Sequence, residues 1–147
     1  MTVERHFGQS VTLDCCGHKG VQIIRPNGNS IRYCSRYKDE NNSYLNYLNL
    51  PFDELKNEVC WIFPPRAQMS TFAHYYLLHR PRPAAYFVVL QHAERPGVLE
   101  LLLAKAVQHR IYTGSHILRR PVSNRQAFSR YAFAGRLHVV LLPAQPS

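Results

Sequence analysis

Residues 59–63, Val-Cys-Trp-Ile-Phe, form an unbroken apolar run that stops at Pro64 and Pro65. A buried strand can end at a proline, because proline lacks the N–H that would continue the ladder and fixes its own φ. Two in succession hold the backbone extended and stiff just beyond the strand. A chain with this stop is expected to bury residues 59–63 in a sheet and to carry the diproline at the strand's carboxyl end. In open α/β sheets that edge is where ligands bind. Phe63, Pro64, Pro65 and Arg66 are therefore the first candidate site.

The pattern around this run alternates between strand and helix. Residues 10–15, Ser-Val-Thr-Leu-Asp-Cys, read as a strand ending near Asp14, ahead of Gly17. Residues 21–24 are a second short apolar run, and Pro26-Asn27-Gly28-Asn29 carries the turn chemistry of a hairpin, which makes 30–37 the expected returning strand. Residues 38–47 are polar and rich in asparagine, as a loop would be. Met69, Phe72, Ala73, Tyr76 and Leu77 recur at helical spacing, predicting a helix over 68–79. Residues 84–90 are continuously apolar, as for a strand covered on both faces. Pro96 suits a first helical turn, and 98–109 is rich in Leu and Ala, predicting a second helix. Residues 111–118 and 137–142 read as two closing strands. The expectation is a single α/β domain over 1–147, with tails at 1–9 and 143–147, a mostly parallel sheet and a C-terminal antiparallel strand pair.

Charge is distributed unevenly. Residues 1–60 hold seven Lys/Arg and seven Asp/Glu, whereas 61–147 hold eleven basic and two acidic residues. The formal net charge of +9 therefore comes entirely from the second half, and 14 of the 18 basic residues are arginine. Arginine forks onto phosphate and stacks on bases, so nucleic acid is the natural polyanionic partner; the plainer alternatives are a solvated basic face or one packed on an acidic protein. Residues 110–136 interleave Arg110, Arg119, Arg120, Arg125, Arg130 and Arg136 with Tyr112, Phe128, Tyr131 and Phe133. Arginines there can contact phosphates and rings can stack on unpaired bases, unless the rings pack back onto the sheet.

Other chemistry is less well supported. Cys15, Cys16, Cys34 and Cys60 lack the regular spacing of a secreted disulfide scaffold, which points to an intracellular, reducing compartment, nuclear or cytoplasmic. Residues 1–9 do not read as a secretory signal. Cys15, Cys16, His18 and Cys34 could be tested as a zinc set, but adjacent residues of a strand point to opposite faces and no C-x-x-C pair exists. No metal is expected. His92, beside Glu94 and Arg95 at a strand end, is the one histidine placed like a site residue. No apolar stretch approaches the roughly 18 residues of a membrane span, so no membrane partner is expected.

The strand followed by Pro64-Pro65 resembles the amino-methyltransferases that act on the exocyclic amine of adenine. In that superfamily the strand ends in Asn/Asp-Pro-Pro and an aromatic residue. The Asn/Asp side chain and the first proline's carbonyl accept hydrogen bonds from the amine, and the ring stacks on the flipped base. Leu13-Asp14-Cys15-Cys16 is similar to the L-D-x-x-A segment of phage-type adenine methyltransferases. The order of 32–37, 61–65, 86–90, 112–116 and 137–142 is also similar to the catalytic module of the cap-adenosine methyltransferase. The resemblance spans about residues 10–142 and implies a three-layer Rossmann-like methyltransferase sandwich, with Asp14 and His92 near the cofactor.

The departures fall on the chemistry. Phe63 stands where the amine acceptor should be, Arg66 stands where the aromatic should be, and the F-x-G-x-G of the cofactor loop is reduced to Phe7-Gly8-Gln9-Ser10. Losing one such acceptor commonly costs ~100-fold or more in rate. The expected function is therefore a catalytically degenerate methyltransferase-like subunit that binds nucleic acid or scaffolds a larger protein or ribonucleoprotein assembly, with no cofactor. The alternatives are an active S-adenosylmethionine-dependent adenine-N6 methyltransferase, and a structural subunit of a larger assembly.

Overall fold

The computed structural model describes residues 2–17, 28, 30–90, 97–113 and 136–146. Their strands are β1 (Leu13–Asp14), β2 (Arg32–Ser35), β3 (Tyr44–Leu45), β4 (Val59–Ile62), β5 (Ala84–Leu90), β6 (Gln108–Thr113) and β7 (Arg136–Leu142). The helices are α1 (Thr2–Phe7), α2 (Met69–Leu78) and α3 (Val98–Leu103). All seven strands join one sheet in the order β3-β2-β1-β4-β5-β7-β6. Pairings from β3 through β5 are parallel, and β7 lies antiparallel to both β5 and β6. The α/β class, the mostly parallel sheet and the antiparallel C-terminal pair thus follow the sequence expectation.

Period-two alternation gives the sheet two cores. Cys60 and Ile62 of β4, Phe87 of β5 and Val140 of β7 pack with Met69, Phe72, Ala73 and Tyr76 of α2 and with Leu102 of α3. On the opposite face, Trp61, Tyr86, Val88 and Val139 pack with Val3 and Phe7 of α1. Tyr86 meets Phe7 edge-on at 5.3 Å, and Trp61 at 5.8 Å. Burying both faces is why residues 84–89 can be apolar without interruption. The four α2 residues that reach the core are four of the five picked out by helical spacing. Among the described residues no helix is long and apolar enough to cross a membrane.

Helix α2 ends against a buried arginine. Arg82 is 2 % exposed, and its guanidinium donates to the carbonyls of Leu77 at 2.9 Å and His79 at 3.2 Å. These are carbonyls the helix end leaves without intrahelical donors. The same guanidinium lies 5.2 Å from the Tyr76 ring centre, and the Tyr76 hydroxyl donates to the Pro83 carbonyl at 2.5 Å. The Arg82 peptide pairs with Gln145, so part of the expected 143–147 tail is bound to the sheet's amino edge.

Several local expectations differ from the structure. Residues 2–7 form helix α1 rather than a tail, because Val3 and Phe7 bury against the sheet and Glu4 accepts the Val11 amide at 2.6 Å. The strand at 10–15 contracts to Leu13–Asp14. Strand β2 pairs in parallel with β1 on one side and β3 on the other, so it is not a returning hairpin strand. The expected loop at 38–47 contains β3. Helix α3 stops at Leu103 and not at 109, since the Val107 amide is claimed by the Leu141 carbonyl and Gln108 begins pairing with β7. Strand pairing there outweighs the helical preference of Ala104, Lys105 and Ala106.

Candidate functional site at the carboxyl edge of the sheet

The sheet reverses its direction of growth between β1 and β4. From β1 the chain moves outward to β2 and β3; from β4 it moves the other way to β5. The carboxyl ends of the strands on either side of such a reversal are the general location of ligands in open α/β sheets. Asp14 of β1 is in register with Trp61 of β4, and the Cys15 amide donates to the Trp61 carbonyl at 2.9 Å. At this edge the β1 side carries Asp14, Cys15, Cys16 and Gly17, and the β4 side carries Phe63, Pro64, Pro65 and Arg66.

Phe63 is half-buried and packs toward the α1 core. Pro64 is buried, while Pro65 and Arg66 are exposed. Pro65, at φ −52° and ψ 145°, leads into a 3-10 turn over Arg66–Gln68 that runs directly into α2. The diproline therefore sits at the mouth of the parallel sheet, between the central strand and its crossover helix.

Asp14 is 7 % exposed and accepts the Cys16 amide at 3.1 Å. Burial pushes its carboxyl up to about 7, against a weaker downward pull from that hydrogen bond. Burial also raises the Cys15 thiol, which lies against Cys60, and the Cys16 thiol, which Asp14 raises further and the Phe63 N–H partly offsets. Cys34 is pushed up to about 12 by burial and then by the Asp14 charge. Nucleophilic cysteine chemistry needs a thiolate, so these groups do not supply it near neutral pH. Gly17 makes a close approach here: a Cβ there would stand 2.8 Å from Tyr33 Cβ and 3.1 Å from Asp14 Oδ2. The space is filled by the protein's own side chains.

The next strand presents a cross-linked loop at the same edge. Ser35, 4 % exposed, donates through Oγ to the Tyr37 carbonyl at 2.6 Å and accepts from Asn42 Nδ2 at 2.9 Å. Asp39 Oδ1 takes the Tyr33 hydroxyl at 2.6 Å and the amides of Asn41 and Asn42, each at 2.8 Å. Arg36, Tyr37 and Lys38 project outward from it. An open cleft of about 370 Å³ is lined by Ser30, Arg32, Tyr33 and Asn41 among others, and so adjoins the loop that Asp39 holds.

The structure places the remaining candidates unevenly. His92, Arg119, Arg120, Arg125 and Arg130, with Phe128, Tyr131 and Phe133, lie outside the described residues. Arg110 and Arg136 are exposed. Arg110 is in register with Val139, and Arg136 is in register with Thr113. Alternation then puts Arg110 on the α1 face and Arg136 on the α2 face, so the two do not share a patch. Of the two settings open to the ring of Tyr112, the structure shows it packed back against its neighbours. It is 8 % exposed, its hydroxyl is 2.8 Å from His6 Nδ1, and its ring stacks on His6 at 5.7 Å. Ser35 and Tyr37 carry no role of their own in the sequence reading. Only their closeness to a strand end marked them, and one residue's spacing cannot show which side chain turns outward.

Compared with known proteins, the chain matches no family model and no curated protein sequence.

Proposed function

We propose that this chain is a catalytically degenerate member of the adenine amino-methyltransferase group, serving as a nucleic-acid-binding or scaffolding subunit. The observation that supports the reading is the reversal point between β1 and β4, whose carboxyl edge carries the diproline corner with Phe63 immediately before it. Strand β7, inserted antiparallel beside β5, suits the same fold reading. Among the described residues the fit to methyl transfer is poor: Phe63 offers no side-chain acceptor, and the space beside Gly17 is occupied by Tyr33 and Asp14.

The nucleic-acid half of the reading rests on where the arginine-rich stretch is attached. Thr113 and Arg136, which flank residues 114–135, are paired with each other at the same carboxyl edge as the diproline.

Two measurements test the proposal. Calorimetric titration with S-adenosylmethionine should give no heat; micromolar binding accompanied by methyl transfer to adenine would favour the active-enzyme alternative, in which backbone carbonyls alone orient the amine. Replacing Arg119, Arg120 and Arg125 together with glutamate should abolish retention of RNA or DNA at moderate salt. Undiminished retention would remove the nucleic-acid role.

A further inference from the structure

Tyr37 is 72 % exposed, an unusual setting for so large a ring. Its backbone is nevertheless held firmly. The buried Ser35 hydroxyl fixes the Tyr37 carbonyl, Asn42 fixes Ser35 and the Tyr44 carbonyl, and Asp39 gathers three donors across the same loop. The hydrogen bonds order the backbone while leaving the ring outside. The Arg36 guanidinium lies 5.4 Å from the ring centre, so the cation attends the ring itself and does not fold back into the loop.

Charge at this edge has a direction. Arg36 and Lys38 flank Tyr37, and Arg66 is exposed beyond β4. Two inter-strand spacings separate β2 from β4, roughly 10 Å. Against these cations stand Asp39, whose Oδ1 already takes three donors, and Glu40. Asp14 is buried. An ordered ring between cations, with a further cation on the same edge, is the arrangement that takes an unpaired base on the ring and phosphates to either side.

We infer that Tyr37, flanked by Arg36 and Lys38, is a base-stacking site for single-stranded nucleic acid running along the carboxyl edge toward Arg66. The inference rests on the nucleic-acid reading above and gives it a specific contact among the described residues. Stacking makes the site tolerant of sequence but intolerant of pairing, because a duplex hides the base faces. Duplex RNA is therefore expected to bind more weakly than a single strand of the same length.

The test is fluorescence anisotropy with a labelled single-stranded adenine 12-mer RNA. Tyr37→Ala should weaken binding about tenfold, within the range for loss of one base–aromatic stack. Tyr37→Trp should restore it, and the salt dependence should be the same in all three proteins, since no phosphate contact changes. The hydrogen bonds at position 37 come from the backbone, so the alanine variant keeps the loop. Equal affinity of Tyr37→Ala and wild type would overturn the stacking site and leave the broader reading standing. No binding of the RNA by the wild type would overturn both. Displacement of the RNA by free adenosine or by polyglutamate at comparable concentrations would assign the patch to a nucleoside or an acidic protein and overturn the inference.

Discussion

Asp14 accepts the amide of Cys16 across a single tight turn while its carboxyl is almost closed to water. The two residues stand at the carboxyl end of β1, beside β4. One hydrogen bond does not compensate a buried carboxylate, which is why burial dominates and the group holds its proton up to about pH 7.

The linked prediction concerns stability against pH. In the unfolded chain the Asp14 carboxyl ionises near 3.8, and in the folded chain near 7. The folded state therefore binds the proton more tightly. The favourable contribution is full below about pH 4 and is lost as pH rises through about 7. Three units correspond to roughly 4 kcal/mol as an upper scale. Asp14→Asn should flatten this dependence and make the protein relatively more stable at pH 8 than at pH 5. Urea midpoints at the two pH values check it; an unchanged slope with pH would contradict the assignment.

Arg82 gives a second prediction. Its guanidinium serves carbonyls at the end of α2 and packs on Tyr76, with Nε unpartnered among the described residues. Arg82→Ala should cost about 2–3 kcal/mol, through the stranded carbonyls and the lost packing over Tyr76. Arg82→Lys should recover only part of this, because an ammonium lacks the flat guanidinium that packs on the Tyr76 ring. Chemical denaturation of the two variants separates the contributions.

Tyr112 supplies a third. Removal of its hydroxyl in Tyr112→Phe breaks the contact to His6 and should cost about 1 kcal/mol. Tyr112→Ala opens the α1-side core and should cost about 3 kcal/mol or more. The phenylalanine variant should retain nucleic acid as the wild type does, in a filter-binding assay. A selective loss of retention in a stably folded Tyr112→Phe protein would return this residue to the binding surface.

Much of the sheet was legible in the sequence, since burial of both faces writes itself locally. The apolar runs at 59–63 and 84–90 and the periodic face of Met69, Phe72, Ala73 and Tyr76 each report an environment their own residues share. The diproline stop predicted a carboxyl-edge position because proline chemistry acts on its immediate neighbours. Order and register are different in kind. Whether β2 pairs in parallel, where α3 yields to β6, and that Arg110 and Arg136 face opposite ways are decided by partners far along the chain. Tyr112 and Tyr37 make the same point at the level of single rings. Both lie at or near a strand end among basic residues, yet one is enclosed beside His6 and the other is held out in solvent. Local pattern determined which segments would be strands and helices; only long-range pairing decided which side chains share a surface, because two residues become neighbours through the sheet and not through the sequence.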